Sequence, residues 1–274
     1  MAKSKKKKSG LALGKWLHLI FSAGIRILFY YPFKVAPYAK HPERLSLEER
    51  YARVRKMALL VCRKSHIELQ IENKEALSSL NGSSLIVANH LSVMDIVILL
   101  ALSEKPISFI AKKEVYSMLF IGKCLRSIGG YFLDRDDPKQ AVRLFMAAAK
   151  EMKEKGRTVV VYPEGTRLKE PFKETQEFHA GTFKLVEWGK ADLLCLAEFG
   201  TFRPLSKGDK GRSFPIEMAF LPLVSYEDSK GKNTAELASF AHDGIASKVA
   251  SFQEFDKSYY AKGLNKKKAS KWKI

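Results

Sequence analysis

Residues 84–95 read SLIVANHLSVMD, and the fold turns on how they are read. Ser84–Ala88 is a short apolar run of strand length, which predicts a buried strand. A helix is predicted to begin near Ser92 and to include Ile96–Leu102. His90 and Asp95 stand five positions apart. On a regular helix that spacing separates two side chains by about 140°, but across a strand-to-helix turn they can meet. Asp95 would then accept a hydrogen bond from one ring nitrogen of His90 and leave the other free as a base. The alternative is structural: Asp95 serves the first turn of the helix and His90 has no chemical role. No G-x-S-x-G occurs, so an enzyme nucleophile is not evident, and a His–Asp base would act on a hydroxyl of the substrate.

The same alternation of short apolar strands with helices continues on either side. Strands are predicted at His66–Glu72, Ile107–Ala111, Tyr131–Leu133, Thr158–Tyr162, Leu193–Ala197 and Ile216–Val224. Lys139–Lys155 reads as a helix opened by Asp137-Pro138 and closed by Gly156. Thr182–Trp188 and Ala235–Phe252 read as further helices. Together they predict an α/β domain over about residues 65–255.

Two more motifs lie at strand ends. Gly129-Gly130-Tyr131-Phe132-Leu133-Asp134-Arg135 is a G-x-x-F-x-x-R pattern. Its glycines permit close backbone approach, and Arg135 offers a planar fork of donors that suits phosphate. The plainer reading is a turn, a core Phe132 and an Arg135 paired with Asp134 or Asp136. Tyr162-Pro163-Glu164-Gly165-Thr166-Arg167 leaves another buried strand. Gly165 can bring backbone N–H groups near a ligand, Arg167 can bind phosphate, and Glu164 can orient Arg167 or bind a substrate hydroxyl. Here the plainer reading is a surface turn with an ion pair.

Composition limits the partners. The chain has 274 residues, 46% hydrophobic and 28% charged, enough to bury a core. Lys and Arg number 48 against 29 Asp and Glu, for a net charge of +19, which calls for an anionic partner. Cys62, Cys124 and Cys195 are far apart, which excludes a disulfide scaffold or a cysteine zinc site and fits a reducing compartment. Lysines crowd both ends, and residues 1–10 and 256–274 read as basic tails. Residues 11–39 are the most apolar stretch. Lys15 and Arg26 inside it oppose a simple span, so an interfacial helix is expected. Ser46 and Glu49 form a capping box that opens a second helix, with an apolar stripe of Leu47, Tyr51, Val54, Ala58 and Val61 and basic flanks. That helix reads equally as membrane-lying or core-packing. Residues 11–64 are thus expected to be a two-helix membrane-docking segment on an anionic membrane surface. The basic runs have few interleaved aromatics and no nucleic-acid module, so no nucleic-acid partner is expected; a basic nucleic-acid- or membrane-binding protein is the non-enzyme alternative.

The order NHxxxxD (Asn89–Asp95), G-x-x-F-x-x-R (Gly129–Arg135) and PEGTR (Pro163–Arg167) resembles the glycerolipid acyltransferase family, over about residues 15–225. Phe109-Ile110-Ala111-Lys112 is similar to that family's strand with a phosphate-binding lysine, and Gly181-Thr182-Phe183-Lys184 to its continuation after the third motif. Tyr162 stands where the family commonly has Phe, Leu168 where it has Ser, and Leu193–Ala197 lacks the family's proline. The resemblance implies an α/β fold with a mixed central sheet flanked by helices. It implies His90 and Asp95 as the catalytic pair, and Lys112, Arg135, Glu164, Gly165, Thr166 and Arg167 as the phosphate and acceptor site. It further implies acyl transfer from a thioester, acyl-CoA or acyl-carrier protein, to the 2-hydroxyl of 1-acyl-glycerol-3-phosphate (lysophosphatidic acid), giving phosphatidic acid. Glycerol-3-phosphate or another lysophospholipid is the alternative acceptor. No metal or other cofactor is implied, and the implied location is the cytoplasmic face of the cell membrane.

Overall fold

Strand alternation sorts the apolar residues onto two sheet faces. Ile86 and Ala88 join one buried cluster and Leu85 and Val87 the other; Leu194 and Leu196 likewise part from Leu193 and Cys195. Such strands, apolar on both sides, need a helical layer on each face. The computed structural model describes residues 29–206 and 213–264 of the chain.

Seven strands form one sheet: β1 (Ile67–Glu72), β2 (Ser84–Ala88), β3 (Ile107–Lys112), β4 (Tyr131–Leu133), β5 (Thr158–Val161), β6 (Asp192–Phe199) and β7 (Phe214–Phe220). Their spatial order is β1-β7-β6-β2-β5-β3-β4. All neighbours are parallel except β6 and β7, so the sheet is mixed, as expected. The helices are α1 (Leu47–Lys64), α2 (Glu75–Ser79), α3 (Val93–Leu102), α4 (Ile121–Ser127), α5 (Pro138–Lys155), α6 (Lys184–Gly189), α7 (Tyr226–Ser229) and α8 (Thr234–Ala261). Helices α1, α3 and α4 cover one face, and α5, α6 and α8 the other.

The capping box Ser46/Glu49 is present and opens α1. The apolar side of α1, with Tyr51, Val54, Met57, Ala58 and Cys62, is buried in the core against α3. Of the two readings for this helix, core packing holds, and its basic side faces outward. Helix α8 extends beyond the sequence reading, and the short helices α2, α4 and α7 escape it. Helix α8 continues to Ala261, past the boundary read at 255, because Asp256 and Tyr259 are buried beneath it. Helix α4 was not anticipated: it is short and contains Gly122 and Ser127, both weak helix formers. The strand expected over 216–224 stops at Phe220, and Val224 makes only an isolated bridge to Leu193. All three cysteines are free and buried. The tail at 1–10, the apolar segment through residue 28 and residues 265–274 lie outside the described residues.

Candidate active site

Strands β2, β5, β3 and β4 run parallel side by side, so their C-terminal ends share one edge of the sheet. The crevice beyond such ends is where open α/β sheets bind ligands. His90 follows β2, residues 162–167 follow β5, Lys112 ends β3 and Arg135 follows β4. Topology thus gathers all three motifs and the lysine at one rim.

His90 and Asp95 meet. Nδ1 of His90 lies 2.7 Å from Oδ2 of Asp95. The same oxygen accepts the backbone N–H groups of Leu91 and Ser92, each at 2.8 Å. Ser92 caps α3, with its hydroxyl accepting from Met94 N–H at 3.2 Å. The structural alternative for Asp95 is therefore also realised: one carboxylate completes the capping box and braces the imidazole. An oxygen that takes two N–H bonds acts as an acceptor, so Nδ1 carries a hydrogen, and in the neutral imidazole Nε2 is then the atom with the lone pair. Asp95 is fully buried, while the His90 side chain keeps 17% exposure. Tyr162 stacks on the ring at 4.2 Å between centroids, fixing its second degree of freedom. Here the Tyr in place of the family's Phe keeps the aromatic face. Burial pushes its phenol well above the usual range, aided by the nearby Glu198 and Asp95.

Glu164 is placed differently from expectation. It is 5% exposed and faces inward. Oε1 accepts the backbone N–H of His90 at 3.0 Å, and Oε2 accepts from the Gln176 amide at 2.9 Å. Both oxygens bond to the protein, and through Oε1 Glu164 holds the His90 backbone. Burial raises its carboxyl to about 7, against the lowering effect of these two hydrogen bonds.

Gly165 sits at φ +72°, the left-handed region that favours glycine. A Cβ there would lie 3.1 Å from His179 Nε2 and 3.8 Å from the Arg135 guanidinium carbon. The second and third motifs are therefore in contact range at this point. The Gly165 N–H is already donated to the Tyr162 carbonyl at 3.0 Å, so it is not a free donor for a ligand. Arg135, Thr166 and Arg167 are exposed. Lys112 is exposed and pairs with Glu114 at 2.9 Å, while Lys113 holds Asp134 at 2.8 Å, freeing Arg135 from the expected pairing with Asp134. Leu168 returns the loop by donating its N–H to the His90 carbonyl at 2.9 Å.

Three contributors were missed from the sequence. Asn89 ties the end of β2 to β6 through two bonds with the Glu198 backbone, at 2.9 and 2.8 Å. Gln176 buttresses Glu164, and His179 flanks Gly165. The unbroken motif Asn89-His90 was the only available signal, and it pointed to Asn89 alone. Among the described residues, no group of three or more His, Cys, Asp or Glu is placed to hold a metal ion.

Comparison with known proteins agrees with this geometry. Residues 68–194 match the family model described as Acyltransferase. Over this stretch the chain is similar to that family, and the stretch contains all three motifs. A 1-acyl-sn-glycerol-3-phosphate acyltransferase of Helicobacter pylori (strain J99) is 40% identical over 119 residues, 41% of this chain and 50% of that protein. The chloroplastic 1-acyl-sn-glycerol-3-phosphate acyltransferase LPAT1 of Arabidopsis thaliana is 30% identical over 144 residues, 53% of this chain and 39% of that protein. The matched stretches thus span half or less of these relatives. The crystal structure of the 1-acyl-sn-glycerophosphate acyltransferase of Thermotoga maritima superposes with a TM-score of 0.69 at 22% identity, covering 88% of this chain and 95% of that one. At that identity the likeness establishes the acyltransferase fold.

Proposed function

We propose that this acyltransferase moves a fatty acyl group from an acyl thioester to the 2-hydroxyl of 1-acylglycerol-3-phosphate, yielding phosphatidic acid. The observation that carries the reading is the 2.7 Å contact of His90 Nδ1 with Asp95, which turns Nε2 toward the rim as the basic atom. The named relatives support the acceptor and product.

In this reading His90 Nε2 takes the proton from the acceptor hydroxyl as its oxygen attacks the thioester carbonyl. A positioned base of this kind contributes about 10²–10⁴-fold. Asp95 stabilises the imidazolium that forms, through a bond that cannot swing away because two backbone N–H groups pin the same oxygen. The tetrahedral oxyanion takes donors from the turn after Gly165. Because Gly165 N–H is spent, the amides of Thr166 and Arg167 are the candidates. Collapse breaks the carbon–sulfur bond, and the imidazolium returns its proton to the thiolate. Arg135, Arg167 and Lys112 hold the acceptor phosphate by charge-assisted hydrogen bonds. The donor is acyl-CoA or acyl-carrier protein.

The acceptor and product are lipids, so the enzyme works at an anionic membrane surface, on its cytoplasmic face. Among the described residues no helix is long and apolar enough to cross a membrane. Phe29, Phe33 and Leu119 are nonetheless 65%, 69% and 72% exposed. Tyr31, on the same helical turn as the two Phe residues, donates its hydroxyl to the Leu119 carbonyl and packs its ring on Phe120. This exposed apolar edge adjoins the segment expected to dock on lipid and supports interfacial binding.

The test is a purified-protein assay in mixed micelles, offering lysophosphatidate, glycerol-3-phosphate and lysophosphatidylcholine with each thioester class. Phosphatidic acid is the expected product. Turnover confined to glycerol-3-phosphate or to the choline lipid would reassign the acceptor, and no acyl transfer to any of them would end the reading.

A further inference from the structure

Strand β6 ends in a residue that the chemistry above does not use. Glu198 is fully buried, and neither carboxyl oxygen has a hydrogen-bond partner among the described residues. Alternation along β6 puts its side chain on the same face as Leu194 and Leu196, in the core shared with Met94 of α3 and with Tyr162. Its backbone is bonded on both sides by Asn89, the residue next to His90. Two further buried polar atoms in this neighbourhood also lack partners among the described residues: the second oxygen of Asp95, Oδ1, and the Tyr162 hydroxyl.

An ionised carboxylate in such a place would be an unpaired buried charge beside a second carboxylate, an arrangement proteins avoid by neutralising one of the two. Three N–H groups converge on one oxygen of Asp95, and among the described residues none reaches the Glu198 carboxyl. The titratable groups that act on Glu198 are Asp95, from the first turn of α3, and Tyr162, from the exit of β5. Glu217 projects with Phe199 to the opposite face.

We infer that Glu198 is a positioning acid that carries a proton and offers its O–H to the free oxygen of Asp95. The role deepens the proposed base mechanism. A neutral donor on Oδ1 holds the carboxylate plane that aims the imidazole, and it withdraws charge from the pair. Burial, with Asp95 adding to it, drives the Glu198 carboxyl well above the ordinary range, in the same direction.

Glu198→Gln keeps size and a donor but cannot ionise; Glu198→Ala removes the donor. Two substrate-free readouts come first. The infrared spectrum of the wild type at neutral pH is expected to contain a protonated-carboxyl C=O band that is absent from Glu198→Gln. The His90 imidazole signal in an NMR titration is expected to keep its midpoint in Glu198→Gln and to move to higher pH in Glu198→Ala, because an Asp95 relieved of the donor attracts the imidazolium more strongly. In acyl transfer, Glu198→Gln is expected to stay within about threefold of wild type. Glu198→Ala is expected to lose about tenfold in kcat with an unchanged acceptor KM, and to shift the acid limb of kcat/KM upward. No band difference, or an His90 midpoint that moves downward in Glu198→Gln, would overturn the proposal by showing an ionised Glu198. An Ala variant with the wild-type midpoint and acid limb would overturn it by showing no role in the pair. Should Glu198→Ala not fold, the Gln spectra still decide the protonation state. Because both spectroscopic readouts need no acyl donor or acceptor, they stand apart from the assay of the transfer reaction itself.

Discussion

Two ion pairs among the described residues bury their carboxylate, and they are built for opposite ends. Arg203 and Asp256 meet at 2.6 Å between β6 and the end of α8, with side chains 2% and 5% exposed. Arg203 also donates to the Pro215 carbonyl at 3.0 Å and lies over the rings of Phe199, Phe202 and Tyr260. His90 and Asp95 meet at 2.7 Å, with the carboxylate also hidden, but the imidazole side chain keeps 17% exposure. A sealed guanidinium has a fixed charge and its donors turned inward, so it ties strand to helix. An imidazole with one braced and one free nitrogen can exchange a proton. The partner's burial is the same in both cases; what separates anchor from base is the chemistry of the cation and the opening on one side.

That contrast can be broken from either end. Asp95→Asn is expected to have the largest effect on turnover, about 10²–10⁴-fold, since an amide in that place no longer selects the Nδ1–H tautomer. Its thermal midpoint should change far less than its rate, as steady-state kinetics beside calorimetry would show. Arg203→Met reverses the pattern. It removes a charged partner from the buried Asp256 and is expected to cost about 3–5 kcal/mol in urea unfolding, while kcat per folded molecule stays near wild type. Arg167→Ala, at the exposed rim, is expected to raise the acceptor KM about tenfold or more without weakening thioester binding, as the loss of a charge-assisted hydrogen bond would. Saturation curves for each substrate separate the two.

The smallest effect concerns pH. Burial lifts the Glu217 carboxyl from 4.5 to about 8, with Asp256 adding to the rise and Arg203 opposing it. The folded state therefore favours the neutral acid. Its contribution to stability is whole below the ordinary carboxyl range and is lost as pH climbs toward about 8. Glu164 adds a loss of the same sign up to about 7. The urea midpoint of the wild type is expected to fall across this window, and that of Glu217→Gln to fall less. An equal slope in both would remove Glu217 from the account.

The sheet and the His90–Asp95 contact were legible because both rest on short-range rules. Four apolar residues at 85–88 announce a strand, and Ser92 with Asp95 announces a helix start that brings His90 back onto its partner. Position alone could not reveal burial of an acid. Glu164 in a Pro-Glu-Gly turn looks like a surface carboxylate, yet the exit of β5 points it under His90, where Gln176 meets it from a later loop. Glu198 was outside the predicted strand, which ended at Ala197; only the pairing of β6 with β7 carries the strand on to Phe199. The amphipathic pattern of α1 was clear, but periodicity cannot say whether an apolar stripe faces α3 or a membrane.

The most direct measurement compares wild type with His90→Ala in one acyl-transfer assay using lysophosphatidate and a saturating thioester, with circular dichroism and liposome flotation on the same preparations. The account predicts that phosphatidic acid formation falls by about 10²–10⁴-fold while the spectrum and lipid binding stay as in the wild type. A folded, lipid-bound His90→Ala that turned over at close to the wild-type rate would contradict it.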